Sequence, residues 1–569
     1  MKKIFFVLLL SPLIILGQDN IGQISGDFFI NAQTYNEDAK IGAEKVSEYL
    51  LVNGYSNIRF TKGNFSAGLR YESYLNALEG FDPRYQGNSI THRYAQYKIE
   101  GLDITVGNFY EQFGNGLILR SYEEKQLGID NSMDGIRLKY SPTKGIYLKG
   151  FIAKQRLFFE LGPGIIRGFD AELNINDALN FLSESKIKYT IGGSFISRYQ
   201  GDIDNIPYDM PENVGAYAIR TNISTDKITL NTEYAHKEND PKGGFSGSNF
   251  APGKALITNL SYSPKKGFGL IFEAHRVDNM DFRSDRTATL QDLTLSYIPA
   301  ITKQHVYSLA AFYPFATQPI GELGFQGELY YTFKKKSKLG GKYGTKITAN
   351  YSRVNALNGG SSILTGREEH TPMFFSIKNE TLFFRDANIE VRKKLSKKVK
   401  FTANYIDLIY NKDIIEGKNN GKNINAKIGV LDISYKIKPK KTLRLELQYL
   451  AVNKDEKYYQ DKGNWTMGML EYTISPKWFF AISNQYNGGN TLTVDIQKKL
   501  IDFLWDTEKD VDREHDAIHF LNFSCGYTKK ANRFVLGYGK QREGIFCAGG
   551  VCRRVPSSNG LTLTITSSF

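Results

Sequence analysis

Residues 441–449 read KTLRLELQY, and their strict alternation carries the plan of the whole chain. Side chains of an extended strand point to opposite faces with a period of two. Leu443, Leu445, Leu447 and Tyr449 therefore share one face, and Arg444, Glu446 and Gln448 share the other. One side seeks hydrocarbon and the other tolerates water. The division recurs in NRFVLGYGK, where Phe534, Leu536 and Tyr538 oppose Val535, Gly537 and Gly539. In DKITLNTEYAH, Ile228, Leu230 and Tyr234 oppose Thr229, Asn231 and Glu233. In ELGFQGELYYTF, Leu323, Phe325, Leu329, Tyr331 and Phe333 oppose Gln326, Glu328 and Thr332. The chain closes on LTLTITSSF (561–569) in the same pattern.

Alternation alone also suits a soluble sandwich, so the connections must decide. They alternate between short and long. Short ones are basic or contain Pro: SPTKG at 141–145, SPKKG at 263–267, KPKK at 438–441, SPK at 475–477 and TKKAN at 528–532. Long ones are rich in Gly, Asn, Asp and Glu, as at 35–49, 111–131, 237–252, 354–372, 487–515 and 542–557. A sandwich has no reason to sort loop length by parity, whereas an outer-membrane barrel has short periplasmic turns and long extracellular loops. The expectation is an all-β, up-and-down antiparallel transmembrane barrel of about 26 strands, within a range of 24 to 28. That count includes strands beginning near residues 289 and 303. The terminal Phe569 then fits the C-terminal signal by which such barrels are recognised for assembly.

The start of the chain is consistent with this. Lys2 and Lys3 precede the apolar run IFFVLLLSPLIIL, and Gly17 offers a small-residue cleavage point. Residues 1–17 read as a cleaved signal peptide and 18–569 as a single barrel domain. No later stretch approaches the roughly 18 uninterrupted apolar residues that a helical span needs. The first strand, IGQISGDFFINAQ, follows the signal closely, leaving no room for an N-terminal plug. An energy-coupled, plugged transporter is therefore not expected. The formal charge of +14 would suit nucleic acid in a cytosolic protein. Export instead points to outer-membrane lipid and lipopolysaccharide, with the barrel-assembly machinery as a partner in biogenesis.

Three sets of residues invite a role. The segment EQFGNGLILRSYEEKQLGIDNSMDGIRLKY places an apolar triplet, Leu117 to Leu119, inside a loop beside Arg120, Glu123, Glu124, Lys125 and Asp130. An apolar stretch in a loop needs something to pack on, so residues 111–131 are expected to fold inward and narrow the lumen. Segments 354–372 and 487–515 are further candidates for occlusion. Arg444, Glu446, Glu233 and Glu328 would line a mixed-charge path for small solutes. In WDTEKDVDREHDAIHF, Asp506, Glu508, Asp510, Asp512, Glu514 and Asp516 fall on every second residue. This acidic stripe offers at most a weak Ca²⁺ site, because Val511 and Ala517 stand where a calcium-binding helix–loop–helix needs Gly and Glu. A solvated loop is the competing reading.

Basic clusters mark the short turns: Lys334, Lys335 and Lys336; Lys393, Lys394, Lys397 and Lys398; and Lys440. They suit a periplasmic rim that snorkels to anionic headgroups, or a docking surface for an acidic periplasmic partner. Cys547 and Cys552 are spaced to close a small loop by a disulfide, while Cys525 lies within a strand. The seven histidines are scattered and no Ser–His–acid constellation stands out, so no enzyme and no resident cofactor are expected.

The run VGNFYEQFGNGLILRSYEEKQLGIDNSMDGIRL, residues 106–138, resembles a stretch characteristic of a Bacteroidota outer-membrane family known chiefly as a domain of unknown function. The resemblance implies a Gram-negative surface barrel and assigns no site residues. The leading expectation is a channel or porin-like barrel. The alternative is a non-conducting scaffold or accessory subunit of an outer-membrane secretion or assembly complex.

Overall fold

The computed structural model of the chain describes residues 22–201, 210–240, 252–357, 381–417, 423–455, 458–488, 517–548 and 551–569. They form a closed antiparallel barrel of 24 strands. Each strand pairs with its neighbours in sequence. The first, Gln23–Thr34, closes against the last, Ser558–Ser568, in a register running from Asp27 opposite Ser568 to Gln33 opposite Thr562. Closure removes both sheet edges, which a bilayer demands because it offers no water to an unpaired backbone group.

The expected alternation holds in the wall. Leu445, Leu447 and Tyr449 on Lys441–Val452 are 37%, 44% and 50% exposed on the outside, while Glu446 and Gln448 are 5% and 4% exposed on the inside. Phe534, Leu536 and Tyr538 likewise face outward. So does Cys525, the free thiol, whose register partners are Phe480 and Leu536.

Loop length segregates by end as expected. Tight turns join Lys62 to Phe65, Ile99 to Leu102 and Lys438 to Lys441. Gly101 and Lys440 supply the left-handed conformations (φ 73° and 65°) that two of these reversals require. Three connections break the pattern, one of them the long link between Phe333 and Thr345 at the short-turn end. A two-residue turn at Phe158–Phe159 sits at the long-loop end, and a short helix, Ile175–Ala178, lengthens one connection at the other end.

The 24 wall strands fall within the expected range of 24 to 28. The periodic stretches near 289 and 303 are not wall strands, and residues 279–320 leave the wall after Phe268–Asp278 and return to it at Gly321–Phe333. Leu293 and Leu295 do alternate with polar neighbours, but both are buried inside the protein instead of facing lipid. A period of two reports an extended chain with one covered face, whatever does the covering. Leu382–Lys394 and Trp465–Ile474 are both wall strands. Residues 1–17, the acidic series 506–516 and nearly all of 487–515 lie outside the described residues, as do 358–380 of the neighbourhood of 354–372.

Candidate functional site

The interior is built from two inward segments packed on the wall. Residues 110–132 follow Leu102–Phe109 and turn into the lumen, where Phe113, Leu117, Ile118 and Leu119 become fully buried. They pack with wall residues such as Phe151, Ile166 and Ala235, and with Phe282 and Leu295 of the second segment. Each such side chain contributes about 1.5–3 kcal/mol relative to exposure in water. Backbone bonds join the segments: Arg120 N–H donates to the Leu295 carbonyl (2.9 Å), and Tyr297 N–H to that of Gly116 (2.9 Å). The Arg120 guanidinium stacks on Tyr297 at 3.9 Å and on Tyr122 at 4.9 Å.

Farther along, the second segment covers a separate apolar sector of the inner wall. Tyr307, Leu309, Tyr313 and Phe315 pack against Phe384, Leu408, Tyr410 and Trp465, among others. Polar contacts fix it there. His305 is 2.6 Å from Asp386, Lys303 is 3.3 Å from Glu328, and Leu309 N–H donates to Gln448 (2.9 Å).

These contacts revise the roles expected for the interior charges. Glu233, Glu328, Arg444 and Glu446 all face inward, yet each is engaged. Glu233 accepts the backbone N–H of Asn115 at 2.6 Å, and Arg444 pairs with Asp432 (2.9 Å) and with Glu446. Glu233 and Glu328 thus anchor the inward segments.

The loop residues Glu123, Glu124, Lys125 and Asp130 come together through a small hairpin, Glu123–Glu124 with Ile129–Asp130. Two wall arginines that sequence inspection did not single out hold this hairpin. Arg70 reaches Glu123 at 2.7 Å and Asp130 at 3.1 Å, while Arg156 reaches Asp130 at 2.5 Å and Glu72 at 2.6 Å. Acceptor atoms of Glu72, Glu123 and Asp130 lie within 4.8 Å of one another, near enough to hold a cation. Their oxygens are already occupied by the two guanidinium groups, so the arrangement is an ion-pair latch. Burial raises the Glu123 carboxyl above its usual range, and Arg70 partly offsets that shift.

Beside the latch, where the first and last strands close the barrel, lies a cavity of about 740 Å³. Phe29, Asn31, Asn53 and Tyr55 line it from the first two strands, Lys125 from the inward loop, and Arg542 and Arg553 from the far side of the seam. Cys552 is held in a disulfide, and the hairpin register places Cys547 opposite it.

At the other end, the expected basic clusters gather on three consecutive hairpins. Lys334, Lys335 and Lys336 follow Gly321–Phe333, Lys397 and Lys398 follow Leu382–Lys394 with its Lys393 and Lys394, and Lys440 follows Ile424–Lys438.

A family model matches the chain over residues 1–569, described as a family of unknown function (DUF6029). The chain belongs to the DUF6029 family. No curated protein matches this DUF6029 chain. Among solved structures, it is similar to the siderophore receptor PirA from Pseudomonas aeruginosa, with 9% identity and a TM-score of 0.39, covering 97% of this chain and 81% of that one. It is also similar to the P pilus usher (PapC) translocation pore, with 9% identity and a TM-score of 0.40, covering 96% and 99%. A ferric enterobactin receptor (PfeA) mutant from P. aeruginosa gives 10% identity and a TM-score of 0.40, covering 97% and 82%. The assignment of this DUF6029 protein to the barrel class rests on its own strand pairing.

Proposed function

We propose that this DUF6029 protein is an integral barrel of a Gram-negative outer membrane, exported with a cleaved signal at residues 1–17, and that it passes small solutes through a porin-like lumen narrowed by its own chain. The observation that carries this reading is the inward fold of residues 110–132, a constriction tied to the wall at one end by Glu233 and at the other by Arg70 and Arg156. Supporting it, the outer face is aliphatic and aromatic, while the inner wall near the seam carries Asn31, Asn57, Arg70 and Gln96. The outer belt meets lipid and lipopolysaccharide, and Phe569 serves recognition by the assembly machinery. The basic turns meet anionic headgroups of the periplasmic leaflet or an acidic periplasmic partner. We assign no catalytic role.

The test is single-channel conductance of the refolded mature protein in a planar bilayer, beside a variant lacking residues 114–128. Steady conductance is expected from the native protein, with larger openings from the deletion. The apolar filling around Tyr313 and Tyr410 favours a second reading, a closed scaffold for a secretion or assembly complex. Silence from both folded proteins would select it.

A further inference from the structure

The cavity at the barrel seam is unlike the rest of the interior. Two inward segments bury apolar surface, and the latch neutralises its carboxylates with arginine; the cavity retains cationic charge. Lys125, Lys540, Arg542 and Arg553 line it, and Glu79 is the one acidic side chain in its described lining. Two of these cations have carboxylate neighbours, since Lys540 pairs with Asp38 at 2.5 Å and Lys125 lies 3.5 Å from Glu123. Both arginines rest on rings, Arg542 over Phe312 at 3.4 Å and Arg553 over Phe81 at 4.0 Å. Arg542 also donates to the Glu543 carbonyl at 2.9 Å and feels the Asp461 and Glu543 carboxylates, which leaves Arg553, within the described lining, as the guanidinium without a counter-charge. Among the described residues the Arg553 Nε and Nη1 have no hydrogen-bond acceptor. A guanidinium withdrawn from water without a counter-charge is costly, and an arriving anion relieves that cost. Burial accordingly pushes the Arg542 guanidinium down to about 10 and that of Arg553 down as well.

The other walls indicate what the anion is attached to. Phe29 and Tyr55 stack at 5.3 Å with the Lys125 ammonium 3.4 Å from the Tyr55 ring centre, and Phe81 and Tyr74 add two further rings to the lining. The lining also carries amides: Asn31, Asn53, Asn522 and Gln541. Amides both donate and accept, which suits hydroxyl groups that do the same. Flat apolar faces, paired donors and acceptors, and unneutralised guanidinium together match a sugar ring carrying a carboxylate. The volume falls within the roughly 300–1,000 Å³ of small-molecule sites.

We propose that the seam cavity is a binding site for an acidic saccharide, with the carboxylate met by Arg553 and the sugar ring by the aromatic and amide side chains of the lining. This deepens the solute-passing reading by naming a solute class and rests on it for its biological use, although binding itself does not require conduction. The test is calorimetric titration of the folded, detergent-solubilised full-length protein with trigalacturonate and, in parallel, neutral maltotriose. The acidic trisaccharide is expected to bind at least about tenfold more tightly. Raising the salt from 50 to 500 mM should weaken it severalfold and leave the neutral sugar unchanged. Arg553→Gln should abolish the preference for acid and Arg553→Lys should restore part of it, with both variants checked for heat-modifiable migration as folded barrels. Equal affinity for the two sugars, salt-independent binding, or no binding by folded protein would overturn the proposal. Binding without bilayer conductance would leave the site standing and sink the channel; conductance without binding would do the reverse.

Discussion

Glu233, in the wall strand Ile228–Lys237, accepts the backbone N–H of Asn115 at 2.6 Å and so caps the turn by which the inward loop enters the lumen. The neighbouring Asn231 takes the Asn115 side-chain amide at 3.0 Å. Gly114 adopts a φ of 51°, and a Cβ there would stand 2.4 Å from the Glu233 carboxylate. Only glycine fits this approach.

Breaking the cap should loosen the loop without unfolding the barrel. Glu233→Ala leaves a buried N–H unpaired, which costs about 1–3 kcal/mol locally. Gly114→Ala should act in the same direction through strain and collision. Hydrogen exchange of residues 113–119 is expected to accelerate in both variants while the global thermal transition moves little. Unchanged protection would remove Glu233 from its anchoring role.

The latch should behave as a network. Arg156→Gln strips the guanidinium from Glu72 and Asp130, both nearly buried, and is expected to destabilise the hairpin at 123–130 by about 3–5 kcal/mol. Adding Asp130→Asn should recover part of that loss, since one unpaired carboxylate is then neutral. Protease sensitivity of the loop in folded protein measures both effects, and strictly additive losses would refute the coupling.

A second ion pair sets a pH window at the long-loop end. Lys412 and Asp461 are in contact, and Tyr313 from the second inward segment donates to Asp461 at 3.1 Å. Burial opposes both charges, but Lys412 pulls Asp461 below its ordinary 3.8 and Asp461 pulls Lys412 above its ordinary 10.5. A depressed carboxyl contributes stability that is present above its unfolded value and lost as pH falls through the folded one. A raised amine contributes stability that is present below its unfolded value and lost as pH rises through the folded one. Asp461→Asn should therefore lower the thermal midpoint at pH 7 and have much less effect well below pH 3.8. An equal effect at both pH values would show that the charge of Asp461 is irrelevant.

The proposed assembly role of Phe569 can be tested apart from stability. Its backbone exchanges hydrogen bonds with Gly26 at 3.0 and 2.9 Å, and its ring is largely exposed. Deleting it should slow insertion catalysed by the barrel-assembly machinery several-fold and leave spontaneous refolding in detergent nearly unchanged. Comparable slowing in both assays would make its role purely structural.

The legibility of this molecule varied with the kind of information needed. The wall was readable because each strand states its own two faces, as Leu445 and Glu446 do, and because a two-residue turn differs in length from an excursion without reference to anything distant. Leu117 to Leu119 were readable as inward-bound for a similar local reason: three adjacent apolar residues in a polar loop must find cover. The partners of Glu123 and Asp130 were not, since Arg70 and Arg156 lie on wall strands whose arginines look like any others facing a polar lumen.

Sequence by itself thus determined a barrel with apolar side chains outside and loops sorted by end, because both depend on periodicity and spacing within a few dozen residues. The tertiary structure alone decided that 24 strands form the wall and that residues 279–320 fill it. An alternating segment such as the one bearing Leu293 and Leu295 declares one face for burial, and lipid and a neighbouring loop satisfy it equally well. Which of them does so depends on the volume left inside the closed barrel, a quantity that exists only once all the strands have met.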